Sequence, residues 1–192
     1  IDRLSMRTPS AVERVPSAEQ RLRAVLIGAS TGGPPVIQRI LTRLPKPFPL
    51  PIVVVQHIAA GFANGLADWL EETTGVSTRV VNGPVVPEPG WLYLASDRSH
   101  LGVASGGVLA PDESPPRAFV KPSVDVLFES AAPHIDSRSI ALLLTGMGGD
   151  GAAGLRPLKR AGAYAIAQDE ATSVVWGMPG EAVKRGPITS VR

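Results

Sequence analysis

Cysteine is missing from all 192 residues of this chain. Its absence removes disulfide frameworks, thiolate metal sites and cysteine nucleophiles from consideration, and it fits a reducing compartment. Long apolar runs are missing too. None approaches the roughly 18 residues that a membrane-spanning helix requires, so no membrane insertion is expected. The leading residues Ile1-Asp-Arg-Leu-Ser-Met-Arg7 lack a signal-peptide core and do not begin with methionine, and the chain is expected to be a fragment of something longer. Nor is there a concentrated basic surface. The net charge of +2 arises within residues 1–23, where five arginines meet three acids, and the other 169 residues carry fourteen charges of each sign. A nucleic-acid binder usually clusters its basic residues on one face, so no nucleic-acid partner is expected.

What remains is ordinary for a soluble globular domain: 44% hydrophobic and 19% charged residues, in a length that fills one core. Residues 1–22 scatter Pro, Ser, Arg and Glu without periodicity and read as a linker or disordered N-terminal segment. Residues 23–192 read as one domain. Within it, short β-branched runs near 24–28, 52–55 and 78–81 alternate with amphipathic stretches near 34–44 and 62–73. Strands alternating with helices imply an α/β fold, a doubly wound, mostly parallel sheet flanked by helices. The middle breaks this rhythm. A strand near 91–95 precedes 101–110, which reads as a hairpin turning at Ser105-Gly106-Gly107, a small antiparallel appendage. A helix capped by Ser123 is predicted over 124–132, then a buried strand at 140–144, a helix after Gly151 and a strand at 164–167.

Three of the apolar runs end in reactive residues. Gly28-Ala29-Ser30-Thr31-Gly32 fits the G-x-S-x-G pattern, in which a sharp strand-to-helix turn exposes a serine hydroxyl, and Pro34-Pro35 suit the first helical turn. A phosphate-cradling turn is the competing reading. That fingerprint wants a glycine where Ser30 stands and an acid at the end of the next strand, which instead ends in Gln56-His57. His57 is one of three histidines. It follows four apolar residues, whereas His100 falls in a predicted loop or hairpin and His134 at a helix end. Since ligands bind beyond the carboxyl ends of parallel strands, Ser30 and His57 are expected on one rim. Asp150 lies among glycines in Thr145-Gly-Met-Gly-Gly-Asp-Gly-Ala-Ala-Gly154, where its carboxylate is free to turn towards a histidine Nδ1–H. Helix N-capping is its alternative role. Asp68, Asp112 and Asp136 read as solvated, and Asp125 as part of a helix's first turn. The histidines have no metal-ligand spacing, so no metal is expected.

Ala29-Ser-Thr-Gly-Gly33, Val55-Gln-His57, Pro122-Ser-Val-Asp-Val-Leu-Phe128, the run 145–154 and Gly177-Met-Pro-Gly-Glu-Ala182 together resemble the catalytic domain of the CheB family, the protein-glutamate methylesterases of bacterial chemotaxis. The resemblance runs collinearly from about Arg23 to the C-terminus. The order Ser, His, Asp also differs from the α/β-hydrolase order. It implies hydrolysis of glutamyl methyl esters on the cytoplasmic helices of methylated chemoreceptors, with deamidation of receptor glutamines as a second activity, and no cofactor. It further implies Ser30 as nucleophile, His57 as general acid/base, Asp150 as orienting anion, and oxyanion donors near Thr31 and Met147. Family members generally carry an N-terminal receiver domain, a regulatory partner not found in this sequence. Arg98 and Lys121 are candidate cations for steering an acidic receptor helix. Two alternatives keep the same residues: a small-molecule carboxylesterase, and a non-catalytic chemosensory regulator.

Overall fold

A computed structural model describes residues 21–192. The expected linker therefore lies outside the described residues, except for Arg21 and Leu22. Leu22 is buried and bridges Ile135.

Seven strands form one parallel sheet in the order β3-β4-β2-β1-β7-β8-β9. The central strands β1 (Val25–Ala29, VLIGA) and β2 (Ile52–Gln56, IVVVQ) are buried along their whole length, which is why they read as continuous apolar runs and do not alternate. β3 (Ser77–Val81) is the outer strand and only partly covered. β4 (Trp91–Ala95) lies between it and β2. The crossover from β3 to β4 has no helix. Pro84, Pro87 and Pro89 disfavour a helix across residues 82–90, and Val85 pairs with Leu109. Beyond β1 lie β7 (Ile140–Leu143), β8 (Tyr164–Ala167) and the two-residue β9 (Ser190–Val191).

Alternate residues of β1 face opposite layers. Val25, Ile27 and Ala29 meet α1 (Gly33–Arg43) and α2 (Ala63–Thr74), where Ile37 and Leu41, then Leu66 and Leu70, form buried stripes at helical spacing. Leu26 joins the other layer, built from α3 (Val124–Ala131), α4 (Leu155–Arg160) and α5 (Met178–Arg185). The predicted hairpin forms as β5 (His100–Val103) and β6 (Leu109–Asp112), a separate antiparallel pair. The doubly wound α/β fold is thus as the sequence predicts. Two elements were not foreseen. α5 starts Met178-Pro-Gly, which has poor intrinsic helix propensity although proline is tolerated in the first turn, and β9 is too short to leave a pattern.

One glycine controls the layer that matters for the site. A Cβ on Gly28 would lie 2.2 Å from Val124 Cγ1, so only glycine lets the start of α3 rest against the end of β1. Gly28→Ala is expected to destabilise the chain by about 1–3 kcal/mol through overpacking, measured as a lower urea midpoint. An unchanged midpoint would mean that α3 can move aside freely.

Candidate functional site

β1 pairs in parallel with β2 on one side and with β7 on the other. The chain order reverses across β1, so the loops that follow these three strands crowd at one carboxyl edge. Ser30 follows β1, His57 follows β2 and Asp150 lies in the loop after β7. The three residues singled out in the sequence share this edge.

The contact that ties the edge together joins residues 93 positions apart: His57 Nε2 lies 2.7 Å from Asp150 Oδ2. Asp150 was expected at Nδ1, and the structure uses the other nitrogen. β1 stands between β2 and β7, so the two side chains span two strand spacings, about 9–10 Å. The ring nitrogen farther from the backbone makes that reach. Because an ionised carboxylate only accepts, Nε2 carries the proton of this contact, and Nδ1 faces away from Asp150.

Asp150 does act as a helix cap, but for α3 and not for the helix that follows it in sequence. Its Oδ2 accepts from Val124 N–H at 2.6 Å, and its Oδ1 accepts from Ser123 Oγ at 2.7 Å and Asp125 N–H at 3.1 Å. Burial pushes the carboxyl pKa up. The hydrogen bonds from His57, Ser123 and the two backbone N–H groups outweigh burial and hold it below the usual carboxylate range. The positive end of α3 favours the same charge. Asp125 returns the arrangement by accepting from Gly154 N–H at 2.6 Å, just before α4. Its own pKa is raised, first by burial and further by the neighbouring Asp150 charge, against the lowering effects of Gly154 N–H and Arg117.

The Ser30 turn is held from both flanks. Ser30 N–H donates to the Thr145 carbonyl at 3.0 Å, and Thr145 Oγ1 lies 2.9 Å from the Thr31 carbonyl. On the other flank, Gln56 Nε2 donates to the carbonyls of Ser30 and His57, at 2.8 and 2.9 Å. Gly32 completes the turn at φ +81°, and Pro34-Pro35 begin α1 as expected. Close approach also requires Gly146, where a Cβ would fall 2.6 Å from Ser30 Cβ and 2.3 Å from Met178 Sδ. The unforeseen α5 therefore has a purpose here, since Gly177 and Met178 donate to the Gly146 carbonyl and brace the loop. The Ser30 hydroxyl makes no hydrogen bond among the described residues. The backbone N–H groups of Thr31 and Met147 likewise have no protein acceptor among them, and so are available to a ligand oxygen.

A cleft of about 360 Å³ opens beside this arrangement, lined by His57, Asp125, Met147, Asp150, Arg117 and Arg185 among others. The candidate steering residues do not line it. Arg98 faces a different hollow, with Asp97 and Asn82. Lys121 donates to the Ser114 carbonyl at 3.0 Å and lies 3.7 Å from Glu113. The cations at the cleft are Arg117, paired with Glu129, and Arg185, 3.8 Å from Glu181. Among the described residues no three His, Asp or Glu side chains gather as metal ligands, and no helix is long and apolar enough to cross a membrane.

Three supporting residues carried little sequence signal, Gln56, His100 and Thr145, whereas Ser123 caps α3 as predicted by accepting from Val126 N–H at 3.4 Å. His100 is buried, accepting from Ser123 N–H at Nδ1 (2.9 Å) and placing Nε2 3.1 Å from the Pro115 carbonyl. These two bonds fix its tautomer and staple the ends of the segment that walls the cleft. Only the polar residue ending each apolar strand, Gln56 and Thr145, hinted at such roles.

Comparison with known proteins places the chain in a family. The CheB methylesterase family profile matches residues 25–192. A protein-glutamate methylesterase/protein-glutamine glutaminase of Methanospirillum hungatei is 47% identical over 163 residues, which are 85% of this chain and 47% of the relative. One from Burkholderia lata is 42% identical over 189 residues, 98% of this chain and 56% of the relative. The chain thus spans about half the length of the curated relatives it matches. The crystal structure of the Thermotoga maritima CheB methylesterase catalytic domain superposes with a TM-score of 0.84 at 39% identity, covering 88% of this chain and 92% of that one.

The anchoring of Asp150 has a pH signature. A carboxyl whose folded pKa is depressed contributes stability that is complete above its unfolded value, about 3.9, and is lost as pH falls through the lower folded value. Asp150→Asn is therefore expected to cost about 1–3 kcal/mol at pH 7, by leaving buried donors poorly matched. In urea titrations that deficit should shrink as the pH falls below about 4, where the parent's unfolded chain takes up a proton that folded Asp150 still resists. A deficit independent of pH would refute the anchoring role.

Proposed function

The chain belongs to the CheB methylesterase family, and from that premise we propose that it is a serine hydrolase removing methyl esters from glutamyl side chains of chemoreceptors. Deamidation of receptor glutamines is the companion activity, by analogy with the double name of the relatives. The observation that carries the reading is the 2.7 Å contact of His57 Nε2 with Asp150, beside Ser30 on the adjoining strand.

In this mechanism Ser30 Oγ bonds to the ester carbonyl carbon as its proton passes to His57 Nδ1, while Asp150 stabilises the imidazolium at Nε2. The former carbonyl oxygen becomes an oxyanion, received by the N–H groups of Thr31 and Met147. Collapse breaks the C–OCH3 bond, and methoxide leaves as methanol with the proton from His57. Water, deprotonated by the same nitrogen, then attacks the acyl-serine, releasing the glutamate carboxylate and restoring Ser30. With a glutamine substrate the leaving group is ammonia. A Ser30–His57 hydrogen bond that closes only with substrate in place is common in empty active sites. No step calls for a cofactor.

The reaction takes place in the cytoplasm, where the receptor's methylated helices lie. Residues 23–192, with Leu22 packed into their core, form the catalytic domain, the residues before them serve as the linker, and a receiver domain acts as the regulatory partner. Arg98 and Lys121 remain candidates for long-range steering, outside the cleft itself.

Receptor cytoplasmic fragments radiolabelled on their glutamyl methyl esters test the proposal through the volatile methanol released. Ser30→Ala and His57→Ala should each lower the rate about 10³-fold or more, and Asp150→Asn should also lose most of it while remaining folded. Near-parental release by folded Ser30→Ala protein would remove Ser30 as nucleophile. Hydrolysis of nitrophenyl esters without any receptor turnover would favour a small-ester hydrolase instead.

A further inference from the structure

Exposed apolar side chains are concentrated around the site. Among the described residues the four most exposed large hydrophobics are Phe119 at 102%, Met147 at 76%, Val174 at 68% and Phe62 at 64%. All four surround the carboxyl edge that bears Ser30, His57 and Asp150. Phe62 ends the loop that His57 begins, and Met147 lies in the loop of Asp150 and lines the cleft. Val174 rests on the Ser30 turn, where a Cβ on Gly32 would fall 2.6 Å from its Cβ. Phe119 sits on a turn whose Arg117, Ala118 and Val120 line the cleft. Apolar residues scattered singly need no explanation, but a group gathered on the loops of one edge, with Met147 lining the cleft itself, does.

Phe119 is the least accountable of them as a product of folding. Arg117 and Val120 exchange both backbone hydrogen bonds, at 3.0 and 2.9 Å, closing a two-residue turn over Ala118 and Phe119. Both turn residues have positive φ, +47° and +66°. Such turns favour Asn-Gly, and a bulky side chain at positive φ is strained. The turn is nevertheless held firmly. Arg117 pairs with Glu129 of α3, and His100 bonds to both Pro115 and Ser123 at the turn's base. The fold thus presents a fully exposed phenyl ring on a strained but well-braced turn, and its own core gains nothing from it. Strain of this kind is characteristic of ligand-gripping segments.

The cleft also limits what can reach it. About 360 Å³ admits a side chain, whereas a helix is about 10–12 Å across. The backbone of a protein substrate must therefore rest on the rim. Resting on the methylesterase reading, we propose that Phe119 anchors an apolar collar, completed by Phe62, Met147 and Val174, that docks the apolar flank of the helix carrying the esterified glutamyl side chain. The side chains of the collar set the preference for a protein over a small ester, separately from the oxyanion contact made by the Met147 backbone.

Phe119→Gly tests this cleanly, because glycine relieves the turn while removing the ring. Its thermal midpoint should equal or exceed the parent's. Its KM for the methylated receptor fragment should rise about tenfold, with kcat on that fragment and kcat/KM on nitrophenyl acetate unchanged. Phe119→Leu should recover most of the loss. Binding of the labelled fragment, followed by fluorescence anisotropy, should weaken to the same degree. Receptor KM and binding within twofold of the parent, or an equal loss on nitrophenyl acetate, would overturn the collar. Phe119-dependent binding without methanol release by the parent would uphold docking while sinking the methylesterase reading, so the two failures are distinguishable.

Discussion

The Asp150 carboxylate is the group on which the rest of the site depends. It is largely shielded from solvent, which by itself would drive it towards neutrality, yet four donors converge on its two oxygens: the His57 ring, the Ser123 hydroxyl and two N–H groups at the start of α3. A buried charge is tolerable only when satisfied in this way. The same group thus holds the position of α3, the orientation of the His57 ring and one wall of the cleft. The requirement extends into the sheet, because α3 can bring its N–H groups close enough only where Gly28 leaves room beside Val124.

Around that anchor, three loops from three strands are tied to one another more than to their own elements. Gln56 joins the carbonyls of Ser30 and His57, and Thr145 joins the Ser30 turn to the loop of Met147. Residues 177–178 close the remaining side. Polar groups fixed in this manner need little rearrangement when charge develops at a reacting carbonyl, and that is where preorganised sites gain most of their rate. Among the described residues, the Ser30 hydroxyl and the N–H groups of Thr31 and Met147 make no hydrogen bond.

The rim follows a different logic from the floor. At the floor, the side chains of Asp150, Thr145 and His57 are tied by hydrogen bonds. At the rim, apolar side chains face solvent, and Phe119 holds a backbone conformation that its side chain disfavours. The side chains of the rim make none of the hydrogen bonds that hold the floor together.

The sequence by itself determined the parallel α/β core, the small hairpin and the three strand ends that carry Ser30, His57 and Asp150. Apolar period, strand-length runs and glycine-rich turns are local properties, and each is written within a few neighbouring residues. It left α5 unseen, because Met178-Pro-Gly resembles a turn until Gly146 offers its carbonyl to two N–H groups. It also gave no sign of His100 as the staple beneath the cleft wall. Which nitrogen of His57 meets Asp150, which helix Asp150 caps and which cations line the cleft were decided by tertiary structure alone. Those contacts join residues as far as 93 positions apart, and their distances depend on β1 separating β2 from β7. No local pattern encodes a spacing set by strand order.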